Sequence, residues 1–468
     1  MLSRRTFIGM SAAAGGLGIL PSAGHASGRV LTAQPGSMRF AGEDVPATDV
    51  WAYDGQVPGP VLRYRVGEEL NLTLKNALDQ PTTIHWHGLR PPIEMDGVPF
   101  ISQPPTAPGE TFHYRFALTE SGTYWYHPHV QGSEQLGRGL KGVLIIDEDE
   151  PPEVDRDILW MLDDWRMDAD AVIAPFGAGH DKSHAGRIGN VVTVNGSLQT
   201  AEPVRAGERI RLRLLNTSNA RLFAPHFPMD RVWIVALDGH PVPPHRPSEG
   251  RIWLAPGERA DLILDLTEEP GTTVQIDDTA YGDQRRFHLM SFVYGAEPAL
   301  PGRDNRPEPA ALTPHILPEP DLERAERHEV VFEGGAMGGL HGAQMGDRFL
   351  SMRELVEMGH FWAINQSVPT NMMTPDPLLS LSLGSSRILD LANLTAFPHP
   401  IHLHGHAFRV LTVNGKPVPN RPWRDTFLLW PDMTAEIAFV ADNPGQWMFH
   451  CHILEHQESG MMAVVDIA

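Results

Sequence analysis

The sequence predicts an all-β protein built from three Greek-key sandwich domains, and three observations carry that expectation. The 468 residues include 44 glycines and 42 prolines, enough to break the chain into many short strands and turns. Segments such as LNLTL, IRLRL and ILDLA alternate their side chains with strand period. One pattern also occurs three times along the chain.

The chain opens with SRRTFIG (Ser3 to Gly9), a weakly apolar run to Leu20 and then GHAS (Gly24 to Ser27). Paired arginines, a short apolar segment and a small-residue cleavage site read as a twin-arginine export signal, residues 1–26, cut after Ala26. The apolar run is too short and too rich in Gly and Ala to span a bilayer. The mature protein is therefore expected in the periplasm, with the Tat translocon as its partner during export and no stable membrane insertion. A net charge of −21 excludes nucleic acid as a partner, since phosphates would be repelled.

The repeat sets the domains. RVGEELNLTLKNALDQPTTIHWHG starts at Arg65, RAGERIRLRLLNTSNARLFAPHFP at Arg205 and SLGSSRILDLANLTAFPHPIHLHG at Ser382. Aligned on Gly67, Gly207 and Gly384, each copy has Asn nine residues on, at Asn76, Asn216 and Asn393. Eighteen residues on stand His85, Pro225 and His402, and twenty on stand His87, Phe227 and His404. A later element aligns on Gly122, Gly271 and Gly445, with His127, Ile276 and His450 five residues on. The domains accordingly span 27–150, 151–300 and 325–468, with an extended Pro-rich linker over 301–324. Arg348 to Gly359 has the apolar spacing of a short helix.

Five His-x-His pairs occur: His85/His87, His127/His129, His402/His404, His404/His406 and His450/His452. Residues i and i+2 of a strand face the same side, so each pair aims two imidazoles at one place. Two pairs come from the first copy, two from the third (His406 apart) and none from the second. Eight imidazoles at a seam between the first and third domains suit several metal ions. Cys451, the only cysteine, lies between His450 and His452 and so faces its own domain. There it can meet His399, His456 and Met461. Two imidazoles, a thiolate and a thioether form a blue-copper set; four-coordinate zinc is the other candidate metal.

HWHG (His85 to Gly88), YHPH (Tyr126 to His129), HPIHLHG (His399 to Gly405) and HCHILEHQESGMM (His450 to Met462) together resemble the copper motifs of bacterial three-domain multicopper oxidases, of the laccase and cuprous-oxidase branch. The resemblance implies a cupredoxin-like fold for each domain and four coppers. It implies type 1 ligands at His399, Cys451, His456 and Met461, and type 2 ligands at His85 and His402. The type 3 pair falls to His87, His127, His129, His404, His450 and His452. It further implies one-electron oxidation of a phenol, aromatic amine or Cu(I) at the type 1 copper. Electrons then pass through Cys451 to His450 or His452, and O₂ is reduced to water.

Asp96, nine residues after His87, matches a carboxylate that supplies protons, although an Asp-Gly turn with Gly97 would also explain it. Relatives carry glutamate after the residue matching His456. Here stand Gln457 and then Glu458, and neither receives a role. His406 reads as structural, and His180, His184, His240, His245 and His341 as solvated loop residues. Met337, Met345, Met352, Met358, Met372 and Met373 could gather Cu(I), or could simply pack. Two other classes stay open: copper nitrite reductases, which lack the full histidine set, and copper-free cell-division relatives, which lack ligands. The protein is expected to be a monomer.

Overall fold

The computed structural model describes residues 28–40, 45–198, 201–302, 305–371 and 375–468. Residues 1–26, read above as an export signal, and Met372 and Met373 lie outside them. The three copies fold alike, and strand order shows it. In one sheet of each copy, a strand aligned with DVWAYDG pairs with the domain's first long strand. In the first copy the order is Thr48–Tyr53, Arg29–Met38, Glu69–Asn76 and Thr111–Ala117. The second copy begins the same way, with Val191–Val194, Arg156–Trp165, Arg209–Asn216 and Arg259–Asp265, and the third with Trp362–Ile364, Glu326–Gly334, Ser386–Asn393 and Thr434–Val440. The opposing sheets also correspond, each closing a sandwich around its own apolar core.

The repeated asparagine explains why the copies turn alike. The Asn76 side chain donates to the carbonyls of Gln80 and Thr106 and accepts from the backbone N–H of Leu78. Asn216 bonds Arg221, Leu254 and Ser218 in the same way, and Asn393 bonds Phe397, Leu429 and Thr395. One buried amide thus fixes the bend that leads each copy towards its His-x-His position.

The Pro-rich connection has no helix or strand among its described residues but is pinned down. Leu312 packs on Trp233 and Ile263, and Leu317 on Ala407 and Trp423.

Two expectations are corrected. Residues 348–359 are not one helix. Arg348–Ser351 pairs as a hairpin with Gly342–Met345, and the helix is only Met352–Glu357. The two-residue loop Gly346–Asp347 favours the hairpin, and the Ser351–Glu354 capping box starts the helix where it does. The loop histidines also differ. His240 and His245 bound a strand, and His240 is buried with Nδ1 3.0 Å from Nδ1 of His315. His180 lies on the short helix Gly179–Ser183, and His184 caps it.

Candidate metal centre

The histidine-bearing strands lie side by side within each sheet. His85–His87 pairs with Gly122–His127 so that His85 opposes His127, and His399–Leu403 pairs with Gly445–Cys451 so that His402 opposes His450. The two sheets then meet face to face. His85 stacks on His404 with ring centroids 3.9 Å apart, and His87 stacks on His402 at 3.8 Å. Position i of one copy thus covers position i+2 of the other in both directions, as in an approximate two-fold. Three-donor groups follow the same exchange: His87, His127 and His452 form one, and His404, His450 and His129 the other, each with its donor atoms within 4.8 Å of one another. His85 and His402 lie between them, their rings 5.8 Å apart.

These imidazoles are built to stay neutral. Burial, then the field of neighbouring rings, holds His87, His127, His129, His404 and His452 well below the ordinary histidine value and His450 at about 3. Hydrogen bonds fix which nitrogen faces inwards. His85 Nδ1 donates to the Asp96 carbonyl at 2.8 Å and His402 Nδ1 to the Asp425 carbonyl at 2.8 Å. His127 and His450 donate Nδ1–H to the carbonyls of Pro128 and Cys451. The remaining Nε2 atoms of His85, His127, His129 and His402 are buried without a partner. Each would cost about 1–3 kcal/mol if left unpaired. A cation that accepts their lone pairs removes that cost, so the donor set fits metal ions.

The second group lies behind the Gly445–Cys451 strand. Cys451 sits in the third domain's core, its Sγ 3.4 Å from His399 Nδ1 and 3.8 Å from His456 Nδ1. His399 Nε2 is taken by the Thr395 hydroxyl at 2.7 Å and His456 Nε2 by the His184 carbonyl at 2.6 Å, leaving both Nδ1 atoms for the sulfur's side. Met461 is fully buried, and its main chain bonds both His456 and Cys451. Burial pushes the Cys451 thiol up, so a bound metal is what makes it a thiolate.

Asp96 is buried at the end of a one-turn 3₁₀ segment, Ile93–Met95, and its Oδ2 lies 2.9 Å from His404 Nδ1, across the seam. Gln457 points its amide to 3.5 Å from His129 Nδ1. Glu458 turns away and holds the N–H and hydroxyl of Ser133, so it does not reach the cluster in place of Gln457.

Sequence reasoning missed Asp425 and the middle domain's share. Asp425 mirrors Asp96: its carbonyl accepts from His402, and its Oδ1 lies 3.2 Å from His87 Nε2. Burial alone would raise its carboxyl, but Arg259 together with His402 and His87 hold it well below the usual range. Arg259, from the middle domain, grips it with bonds of 2.8 and 2.7 Å. Gly257 lies beside the cluster at φ +87°, and a Cβ there would sit 3.0 Å from the rings of His452 and His87. Arg259→Leu should therefore destabilise the protein by about 3–5 kcal/mol, because Asp425 would keep an uncompensated buried charge. Denaturant unfolding measures this, and a loss under about 1 kcal/mol would show that the pair carries no such burden.

The multicopper oxidase family models match residues 35–151 and 350–468. Among solved structures, a multicopper oxidase from Pseudomonas thermotolerans is 35% identical, covers 94% of this chain and 99% of its own, and superposes with a TM-score of 0.82. The chain belongs to the multicopper oxidases. Lac15, from a marine microbial metagenome, is 32% identical with a TM-score of 0.72, over 94% of this chain and 100% of its own. Multicopper oxidase MmcO of Mycobacterium tuberculosis is 28% identical over 95% of this chain and 88% of its own length. The fold of this oxidase is thus three cupredoxin-like domains, its metal is copper and its electron acceptor is oxygen.

Proposed function

We propose that this oxidase holds four coppers: one at His399, Cys451, His456 and Met461 (type 1), one at His85 and His402 (type 2) and two between the mirrored triads (type 3). When bound, they supply one-electron acceptance at the sulfur-bearing set and four-electron reduction of O₂ to water at the seam. The observation that carries the reading is the Gly445–Cys451 strand, whose sulfur faces one donor set while His450, with His452 just beyond, faces the other. The residues join those sets through one stretch of main chain. Asp96 and Asp425 orient His404 and His87, and Asp96 holds a proton-accepting carboxylate at the seam. No ligand position is missing, which argues against the copper-free and nitrite-reducing alternatives.

The electron donors we propose first are phenols and aromatic amines, as for a laccase. Leu429, the strand partner of His399, is followed by Trp430, which meets the exposed Trp253 edge to face at 5.1 Å and offers a surface for stacking a donor ring. A second reading, oxidation of Cu(I), is favoured by exposed thioethers at Met337 and Met358. Comparing kcat/KM for 2,6-dimethoxyphenol and for Cu(I) separates them: the phenol should be the better substrate, and a higher value for Cu(I) would reverse the order. The SRRTFIG signal supports export by the twin-arginine pathway into the periplasm. Among the described residues no helix is long and apolar enough to cross a membrane.

A further inference from the structure

The short helix Gly179–Ser183 of the middle domain lies over the type 1 set and is fastened there by three successive carbonyls. Lys182 O accepts from Trp362 Nε1 at 2.6 Å, Ser183 O from Ala336 N at 2.7 Å and His184 O from His456 Nε2 at 2.6 Å. The donor-facing edge of His456 is therefore capped by a backbone carbonyl, and no substrate touches that imidazole directly.

The residue that provides the cap carries an imidazole of its own. His180 and His184 are four apart, so their side chains share one face. Their rings stack face to face, centroids 4.0 Å apart and planes 9° apart, so the exposed His180 ring must turn out of the stack for its nitrogen and His184 Nε2 to converge on one ion. His180 is exposed and His184 half-buried. His184 Nδ1 is engaged with the Ser183 hydroxyl at 3.0 Å and the His180 carbonyl at 3.2 Å, so Nε2 is the nitrogen left for an ion. Asp181 is turned inwards to Arg166, and Lys182 lies on another face, so neither crowds the pair. The Ala336 bond also brings Met337, 80% exposed, to the same rim.

We propose that His180 and His184 form a docking site for a reducing copper(I) ion as substrate. Two histidines four apart on one helical face can share an ion, and a thioether at the rim favours copper in its reduced form. The bound ion gives up one electron and becomes copper(II). The electron would cross the His184 carbonyl and its hydrogen bond to His456, a residue that would hold the accepting type 1 copper. No proton moves. The site rests on the Cu(I) reading of the donor.

Both His180→Gln and His184→Gln keep the helix and the carbonyl that caps His456, because that bond is made by main chain. Silver(I), a redox-silent stand-in for copper(I), is titrated by calorimetry into the copper-loaded holoenzyme and into each variant. The wild type should bind one silver ion that both variants lose or bind at least tenfold more weakly. The ratio of kcat/KM for Cu(I) to that for 2,6-dimethoxyphenol should fall at least tenfold in each. Silver binding identical to wild type in both variants would overturn the site. Lost silver binding with an unchanged ratio would overturn its role as the donor site. Lost silver binding in a protein whose wild type does not oxidise Cu(I) would sink the Cu(I) reading and leave a cation site.

Discussion

Cys451→Ser is expected to erase the strong visible band of the copper-loaded oxidase, near about 600 nm, and to lower turnover with every donor by at least about 10³-fold. The band requires a thiolate on copper, and Cys451 is the only cysteine in the chain. Serine fills the same buried space 3.4 Å from His399, so the third domain should fold as before. What is lost is the sulfur ligand and with it the join between the two donor sets. Thermal unfolding followed by circular dichroism controls for the fold. A variant that keeps the band, or keeps turnover near wild type, would show that electrons enter elsewhere.

Asp96→Asn should leave that band intact and slow reoxidation by O₂ by about 10²-fold or more. The amide oxygen can still accept from His404 Nδ1, so the ring stays oriented, but the amide cannot pass a proton to the seam. Stopped-flow mixing separates the half-reactions: bleaching of the blue band by a donor should keep its rate, and its return on adding O₂ should slow. An unchanged return would remove Asp96 from proton supply and leave it a positioning residue only.

Much of this was legible because strand period and repeat state it directly. The His-x-His pairs, the alternation that sends Cys451 away from its neighbours and the repeated asparagine are all local patterns, and the structure places those residues as the patterns imply. Asp96 could be found by its offset from His87, although its carboxylate reaches His404 of another domain. Asp425 could not. It performs the mirrored task from 21 residues after His404 rather than nine, so the symmetry exists in space and has no counterpart in spacing. Arg259 and Gly257 were hidden for a related reason: the middle copy lacks ligands, yet its turn before Arg259–Asp265 is what abuts the cluster. His240 looked solvated because prolines surround it, whereas the linker's His315 folds back to cover it.

The proposed copper arrangement puts one ion behind the Gly445–Cys451 strand and three at the seam between the first and third domains. Anomalous diffraction from crystals of the copper-loaded oxidase, collected on both sides of the copper absorption edge, tests it most directly. Four copper peaks per chain are expected, one among His399, Cys451 and His456 and three among the eight seam histidines. No peak beside Cys451, peaks that persist at full strength below the copper edge as those of a lighter transition metal would, or peaks that appear only above the zinc edge would contradict it.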